Sequence, residues 1–298
     1  MMCRLRAVVW ALVGLTLFTC IASVRWFILS ATLADKMPLS SNIPASEETL
    51  SLSHVTLEMK HRKKAVERAC SVDVWPNTFD NGLPSVGDPI TEELVTNPKM
   101  LNNLIVDDKN HILYCYVPKP QDIRYRLHTY TKFIFVRHPI ERVLSAFRNK
   151  FEKNYTSSAY FKKRFGVKII KKYRKGIDPA DIPASGHGVK FSEFVSYLID
   201  TKTDQLNEHW APVSTMCYPC SVRYDYVGKY ETLAEDSEYI LREVGAPPSI
   251  QFPEVIPSKT TAYVDPYFDT LSKNQQQDLI RIYEDDFRVF DYHFRNLI

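Results

Sequence analysis

A short apolar run that leads into a basic amphipathic segment lies in the middle of this chain, at residues 133–151 (FIFVRHPIERVLSAFRNKF). Phe133 to Val136 has the length and character of a buried strand, and the apolar spacing from Ile140 to Phe151 predicts a helix. Arg137 then follows the strand and Ser145 lies on the helix, where both side chains can reach one anion. The helix N-terminus adds oriented N–H groups and a positive dipole end, so the segment predicts a phosphate site.

Other apolar runs alternate with helical patterns on both sides of this segment. Ile112 to Val117 suits a buried parallel strand, and Tyr224 to Val227 suits another. Because strands alternate with helices, the sequence predicts an α/β fold with a mostly parallel sheet flanked by helices. Further helices are predicted at 121–130, 159–175, 191–199 and 231–244, and in a last segment that Ser272 caps and that runs to Phe287.

The N-terminal residues predict a membrane anchor. Ala7 to Val24 carries no charge, Arg4 and Arg6 precede it, and apolar residues resume after Arg25. This run is longer than the apolar region of a cleaved signal peptide, which usually spans about 7–15 residues. We therefore expect an uncleaved signal anchor, a single transmembrane helix over residues 7–29, rather than a cleaved signal.

The anchor divides the rest of the chain into three parts. Residues 1–6 are expected in the cytoplasm and all later residues in the lumen of the secretory pathway. Residues 30–98 are expected to form a lumenal stem, because they are rich in polar residues and turn formers. Residues 99–298 are expected to form the folded domain, and 45% hydrophobic and 24% charged residues are ordinary for a globular protein. The net charge of +3 and the lumenal address argue against a nucleic-acid partner.

Four cysteines belong to the lumenal part, namely Cys70, Cys115, Cys217 and Cys220. The Cys217-Tyr-Pro-Cys220 motif could be a redox pair or half of a zinc site. No second such motif or histidine pair accompanies it, so we expect no metal and favour structural disulfide bonding for Cys217 and Cys220. The pairing stays open at this stage. Asn154 begins a glycosylation sequon, which suits a lumenal address.

A second phosphate-binding pattern begins at Lys119. Leu113 to Lys119 (LYCYVPK) ends a predicted strand with Pro-Lys, and a strand, such a turn and a helix are the start of a phosphate cradle. By itself this signal is weak. It gains strength beside Arg137 and Ser145, because the chain then carries two phosphate-binding segments in succession. A P-loop kinase is excluded, since the chain contains no G-x-x-x-x-G-K-[ST] motif.

The chain resembles Golgi carbohydrate sulfotransferases of the HNK-1/chondroitin 4-O-sulfotransferase family. The resemblance extends over about residues 100–298 and is strongest for the chondroitin and dermatan 4-O-sulfotransferases. Four segments carry it in the same order: LYCYVPK (113–119), FVRHPIERVLSAFRNKF (135–151), NEHWAPVSTMCYPC (207–220) and YDYVGKYETLAEDS (224–237). The resemblance implies a P-loop-like sulfotransferase fold and a Golgi membrane protein, single-pass type II, with a lumenal catalytic domain.

The resemblance also implies an activity. The sulfate donor would be 3′-phosphoadenosine-5′-phosphosulfate (PAPS), with Lys119 at the 5′-phosphosulfate and Arg137 and Ser145 at the 3′-phosphate. The acceptor would be a hydroxyl of a glycosaminoglycan, most simply the 4-hydroxyl of N-acetylgalactosamine in chondroitin or dermatan, with glycoprotein glycans as an alternative. Sulfate would pass directly to the hydroxyl, a base would take its proton, and no metal would be needed. Homo- or hetero-oligomers are compatible with this interpretation.

The chain departs from the family directly after Lys119. Relatives continue with a small residue, Cys, Ser or Thr, Asn and Trp, whereas this chain passes to Pro120 and then to a segment that resembles the family from well downstream. Pro120 has no N–H to donate to a phosphate. The absent segment in relatives also carries a histidine that resembles a catalytic base. We therefore expect weak or no transfer from this form, and a non-catalytic glycan-binding or hetero-oligomerising protein is the alternative.

Other residues of the shared segments have both a functional and a structural interpretation. His209 and Trp210 could contact the acceptor sugar or simply pack in the core, and the same pair of interpretations holds for Lys229 and Glu231. His209 and His138 are weak candidates for a base. A basic run is by default a solvated helix face, although a polyanionic glycan would give it a function; it comprises Lys162, Lys163, Arg164, Lys168, Lys171, Lys172, Arg174 and Lys175.

Overall fold

The described residues of the computed structural model are 45–71, 104–115, 123–254 and 260–294. They form two compact units, each made of several chain segments. The helical unit comprises the described residues 140–210 and 260–282. The sheet unit comprises 45–71, 104–115, 123–139, 211–254 and 283–294.

Three of the sequence-based predictions fall outside these residues. They are the cytoplasmic tail at residues 1–6, the anchor at residues 7–29, and Lys119. Within the described ranges, no helix combines the length and the apolar character that a membrane span requires.

The strands in chain order are β1 (Leu104–Asp107), β2 (Ile112–Cys115), β3 (Thr131–Val136) and β4 (Tyr226–Lys229). The helices in chain order are α1 (Ala45–Ser71), α2 (Ile123–Thr129), α3 (Pro139–Phe147), α4 (Thr156–Phe161), α5 (Val167–Tyr173), α6 (Phe191–Ile199), α7 (Val213–Cys217), α8 (Pro219–Val222), α9 (Leu233–Glu243), α10 (Thr261–Phe268), α11 (Lys273–Ile282) and α12 (Glu284–Val289). Two π-helical turns follow α3 and α4, at Arg148–Glu152 and Lys162–Gly166.

The four strands form one mixed sheet in the order β1-β2-β3-β4. The β2–β3 and β3–β4 pairs are parallel, as the sequence predicts, and both contain predicted strands. The β1–β2 pair is antiparallel and was not predicted. Asp107 stabilises its turn, because its carboxylate accepts hydrogen bonds from the backbone N–H groups of Lys109 and Asn110 at 3.0 and 3.2 Å.

Alternate side chains of β3 pack on opposite faces of the sheet. Ile134 and Val136 belong to the larger apolar cluster, which also contains residues of α2, α7, α8 and α12. Phe133 belongs to the smaller cluster, together with residues of α1 and α9. Gly228 of β4 pairs with Phe135 of β3, and a Cβ atom at Gly228 would lie 2.3 Å from the Phe135 ring. The ring therefore requires glycine at this position.

Helix α1 corrects the prediction that residues 30–98 form a stem. Residues 45–71 of that range form a helix of 27 residues that packs against the sheet unit. Its buried apolar residues recur at helical spacing and contribute to both apolar clusters; they are Val55, Met59, Ala65, Val66 and Ala69. A mostly polar composition hid this narrow apolar stripe, because only one face of the helix is covered.

A buried ion pair joins α1 to β4 and α9. Arg62 is 6% exposed, and its Nη1 donates to Asp236 Oδ2 at 2.6 Å and to the Val227 carbonyl at 3.3 Å. Asp236 Oδ2 also accepts from the Lys229 backbone N–H and the Thr232 hydroxyl, both at 2.7 Å. One carboxylate oxygen therefore holds the end of β4, the start of α9 and the middle of α1 together.

Two disulfides tie distant segments of the sheet unit to the α7–α8 corner. Cys70 of α1 bonds to Cys220, and Cys115 of β2 bonds to Cys217. The two cysteines of the Cys-x-x-Cys motif are thus each bonded to a distant partner and not to one another, which settles the pairing that the sequence left open. The bonds close loops of 150 and 102 residues. A single closure of about 100 residues stabilises a fold by about 4–5 kcal/mol in the loop-entropy model.

The helical unit is built around a cluster of aromatic rings. Phe147, Phe194 and Trp210 are fully buried and contact one another and their aromatic neighbours. Helix α6 has the predicted bounds, and α11 packs on it through Gln275, whose amide donates to the Ser192 carbonyl at 2.9 Å. Ser272 caps α11 as predicted, but the predicted helix to Phe287 is interrupted at Tyr283, where α11 has ended and α12 begins.

We predict that Arg62→Met lowers the free energy of unfolding by about 3 kcal/mol, because it leaves a buried carboxylate without its cation. Denaturant-induced unfolding under non-reducing conditions measures the change. Lys64→Met is the matched control, since Lys64 is exposed on the same helix, and it should change stability by less than about 0.5 kcal/mol. Equal effects of the two substitutions would show that α1 is not part of the folded unit.

Candidate functional site

The carboxyl ends of β3 and β4 bring several predicted site residues together in the sheet unit. Arg137 follows β3 directly, and its guanidinium lies over the Tyr230 ring, 4.4 Å from the ring centroid. Tyr230 follows β4 in the same way. Ligands of open α/β sheets bind outside the carboxyl ends of the strands. A guanidinium that stacks on a ring keeps its N–H donors in one plane, where they can bind an oxyanion.

Glu231 fixes the turn that carries Arg137. Its Oε1 accepts a hydrogen bond from the His138 backbone N–H at 2.9 Å, and its Oε2 accepts from the Tyr292 hydroxyl at 2.9 Å. The carboxylate thus connects the β3–α3 turn to the segment after β4 and to the C-terminal segment. Glu231 does not cap α9, which begins two residues later, at Leu233. The structure gives it a positioning role towards Arg137.

His138 and Lys229 are each held by aromatic neighbours. The His138 ring contacts Phe287 and Tyr292 edge-on, at centroid distances of 5.4 and 5.5 Å. These contacts favour the structural interpretation of His138. Lys229 donates to the Asp291 carbonyl at 3.1 Å and lies 4.2 Å from the Tyr292 centroid. Burial lowers the pKa of Lys229 and the charge of Arg62 adds to the effect, although Asp291 and Glu231 oppose it.

The second predicted ligand of the anion, Ser145, belongs to the helical unit. It lies half-buried on α3, three residues after Arg142 and on the same helix face. Its hydroxyl makes no hydrogen bond to any of the residues that the structure describes. Joint binding of one phosphate by Arg137 and Ser145 stays a prediction.

His209 lies in the helical unit among cations. Its ring is 4.9 Å from the Phe161 ring, and Arg142 Nη2 donates to the neighbouring Glu208 carbonyl at 3.0 Å. Burial lowers the pKa of His209 to about 3, and the charges of Lys150 and Arg142 contribute to this shift. The imidazole is therefore neutral at physiological pH but binds a proton too weakly for an efficient general base. It can still donate one N–H to a bound group.

Trp210 is a core residue, which decides between the two interpretations that the sequence leaves open for it. It is 0% exposed and contacts five aromatic rings: Phe151, Phe161, Phe165, Phe194 and Tyr197. A sugar needs an accessible ring face to stack on, and Trp210 has none. The structural alternative for this residue is the correct one.

The basic run divides into residues with internal partners and residues on the surface. Lys172 pairs with Asp200 at 2.8 Å and Arg174 with Glu193 at 2.7 Å, so these charges are neutralised within the helical unit. Lys162 is buried and binds oxygen atoms of Lys153 and Asn154. The members that are exposed and have no acidic partner within the described residues are Lys163, Arg164, Lys168, Lys171 and Lys175.

Two further predictions concern the glycosylation sequon at Asn154 and a metal site. Asn154 is exposed between the first π-helical turn and α4, where an attached glycan would meet solvent. In the described part of the chain, no group of three or more His, Cys, Asp or Glu side chains could hold a metal ion.

Comparison with known proteins shows similarity to enzymes of one kind. Residues 119–293 match the model of a family described as "Sulfotransferase family". This match includes Arg137, Ser145, His209 and Glu231. No solved structure matches the chain with significance.

Three curated relatives illustrate the similarity. Carbohydrate sulfotransferase 11 of Rattus norvegicus is 36% identical over 252 residues, which cover 68% of this chain and 71% of the relative. Carbohydrate sulfotransferase 14 of Homo sapiens is 38% identical over 193 residues, or 52% of this chain and 50% of the relative. Carbohydrate sulfotransferase 8 of Homo sapiens is 30% identical over 320 residues, or 87% and 71%.

We predict that Trp210→Ala lowers the free energy of unfolding by about 3–5 kcal/mol, because it leaves a cavity among packed rings. Tyr160→Ala is the control in the same unit, since Tyr160 is 57% exposed, and it should cost less than about 1 kcal/mol. Denaturant-induced unfolding of both variants gives the comparison. A stable Trp210→Ala protein that has lost only glycan affinity would restore the sugar-binding interpretation.

Proposed function

This chain belongs to the sulfotransferase family, and we propose that it transfers a sulfo group from PAPS to a sugar hydroxyl. Members of the family use PAPS as the sulfate donor, and the curated relatives are carbohydrate sulfotransferases. The proposed acceptor is the 4-hydroxyl of N-acetylgalactosamine in chondroitin or dermatan chains. The shared segments around Lys119, Arg137 and Glu231 support this choice within the family.

The position of Arg137 carries the proposal. A cation at the carboxyl end of a parallel strand, stacked on Tyr230 and held by the Glu231–His138 hydrogen bond, is suited to a nucleotide phosphate. Arg137 and Ser145 would hold the 3′-phosphate, and Lys119 would hold the 5′-phosphosulfate. The structure of the sheet unit fits this donor, since the turn that carries Arg137 is fixed by side chains from two other segments.

The reaction needs one bond to form and one to break. The acceptor hydroxyl oxygen bonds to sulfur, the sulfur–oxygen bond to the 5′-phosphate breaks, and adenosine 3′,5′-bisphosphate leaves. The hydroxyl proton must pass to a base. His209 is too weak a base in its present surroundings, and His138 is packed among rings. The proposed contribution of Arg137, Ser145 and Lys119 is therefore binding and charge stabilisation.

The proposed location is the Golgi membrane, with a type II anchor and a lumenal enzyme domain. Two disulfides support an oxidising compartment, since such bonds are rare in the cytosol. The uncharged run at Ala7 to Val24 and the exposed sequon at Asn154 support the same address.

A second function is favoured by one observation, the proline that follows Lys119. Pro120 cannot donate a backbone N–H, so the 5′-phosphosulfate loop would lose one donor relative to the related enzymes. The chain would then bind the donor through its 3′-phosphate and transfer sulfate slowly, or bind glycan without transfer. Such a protein would act as a subunit, either of a homo-oligomer or of a hetero-oligomer that contains an active relative.

We predict that Arg137→Ala weakens binding of adenosine 3′,5′-bisphosphate about 10- to 100-fold, since a hydrogen bond to a charged group contributes about 1.5–3 kcal/mol. Ser145→Ala should weaken it about tenfold for the same reason. Isothermal titration calorimetry measures both. Arg281→Ala, an exposed arginine in an i,i+3 pair, is the control and should bind like the wild type. Unchanged affinity in Arg137→Ala would contradict the donor site.

We predict that transfer of radiolabelled sulfate from PAPS to desulfated chondroitin is about 100-fold slower than by carbohydrate sulfotransferase 11 of Rattus norvegicus. Loss of one preorganised donor at the reacting group costs about this factor. Desulfated dermatan and a glycoprotein glycan test the acceptor choice in parallel. A rate near that of the relative would contradict the impaired donor loop, and absence of both transfer and nucleotide binding would contradict the enzymatic function.

A further inference from the structure

Lys150 is a largely buried lysine whose ammonium group makes no hydrogen bond, and the Glu208 carboxylate acts on its charge without forming a direct ion pair with it. Lys150 lies in the π-helical turn after α3, is 5% exposed, and its Nζ is 4.4 Å from the centroid of the Phe161 ring. No oxygen atom of the described residues accepts a hydrogen bond from it or forms an ion pair with it. Burying an ammonium group in this way is costly unless an anion compensates it.

Lys162 of the same unit is a buried lysine with polar partners, and it serves as a comparison for Lys150. Lys162 is 7% exposed, and its Nζ donates to the Lys153 carbonyl at 3.0 Å and to Asn154 Oδ1 at 2.9 Å. Two similarly buried lysines thus lie in one unit, one with two oxygen atoms at hydrogen-bond distance and the other with an aromatic ring and the more distant Glu208 carboxylate. The contrast leaves the N–H donors of Lys150 available for a group that the described residues do not supply.

His209 and Arg142 belong to the same cluster as Lys150. Lys150 and His209 contact the same Phe161 ring, at 4.4 and 4.9 Å, and Arg142 donates to the carbonyl of Glu208, the residue before His209. The Glu208 side chain is exposed and accepts a hydrogen bond from the Asn207 amide. The cluster therefore combines two cations and an imidazole with one exposed carboxylate. π-Helical turns are rare and frequently lie at functional sites.

We propose that Arg142, Lys150 and His209 form an oxyanion-binding pocket in the helical unit, for a carboxylate, sulfate or phosphate group of a substrate. The ammonium and guanidinium groups would supply the charge, and the imidazole would donate a hydrogen bond. The identity of the anion rests on the proposed function: it is either a phosphate of the donor or an acidic group of the glycan. The existence of the pocket does not depend on that function.

Inorganic sulfate tests the pocket directly. The melting temperature of the full-length protein is measured with increasing sodium sulfate, and with sodium chloride at equal ionic strength. Sulfate stabilises proteins in general, so the comparison between variants is decisive. The wild type should gain stability beyond this general effect, because a ligand that binds only the folded state raises its stability.

Lys150→Met separates a binding role from a structural one. We expect its melting temperature without sulfate to equal or exceed that of the wild type, since an apolar side chain of similar size replaces a largely buried charge that no hydrogen bond stabilises. Its gain with sulfate should fall to the general effect. A melting temperature below that of the wild type, or an undiminished gain with sulfate, would overturn the proposal.

Two matched variants control for burial and for charge. Lys162→Met removes the paired buried lysine, and it should lower the melting temperature but keep the gain with sulfate. Lys163→Met removes an exposed lysine and should leave both quantities unchanged. Loss of the sulfate gain in Lys163→Met would attribute the effect to net charge and overturn the pocket.

The source of the anion is found by titrating two ligands. Affinities of the wild type and Lys150→Met are measured for adenosine 3′,5′-bisphosphate and for a glucuronate-containing chondroitin oligosaccharide. We expect about a tenfold or larger loss for one ligand only, the size of a lost charge-assisted hydrogen bond. The affected ligand identifies the source, and unchanged affinity for both overturns the proposal. If the protein binds neither ligand, the proposed function fails, while the sulfate titration still decides the pocket.

Discussion

The sheet unit depends on the hydrogen bonds that the buried carboxylate of Asp236 accepts. Its Oδ2 accepts hydrogen bonds from Arg62, from the Lys229 backbone and from Thr232, so α1, β4 and α9 meet at one oxygen atom. Lys229 is the last residue of β4, and the residues that follow it are Tyr230 and Glu231. The contact of Arg137 with Tyr230 and the hydrogen bond from His138 to Glu231 therefore start from a strand end that a buried charge holds in place.

The parts of the fold that the sequence predicts are those with a local apolar signal. The sequence predicts helix α6 with the observed bounds and β3 to within two residues. Strand β1 was missed although two apolar runs flank Asp107 to Asn110, a polar turn that signals a hairpin. The sequence does not predict helix α1, because its buried face is one narrow stripe and its buried Arg62 pairs with Asp236, which lies 174 residues further along the chain.

The sequence predicts some residues of the candidate site and not others, and the reason differs from residue to residue. Arg137 follows a strand, and strand ends of a parallel sheet are readable from the sequence. Trp210 shares its segment with His209, but only packing shows that one is core and the other lies beside two cations. Lys150 was not selected, although it follows Phe147 by three residues and so shares the apolar face of the helix. A charged residue on the apolar face of an amphipathic helix is therefore a candidate for a binding site.

The electrostatics of the helical unit separate two tasks that a histidine could perform. Burial lowers the pKa of His209, and the positive charges of Lys150 and Arg142 lower it further, so the ring stays neutral and can donate a hydrogen bond. The same two charges would attract an oxyanion, and an oxyanion would in turn offset their effect on the ring. The positive charges that favour anion binding therefore disfavour protonation of His209 in the free protein. A base for sulfate transfer is then to be sought among groups outside this cluster.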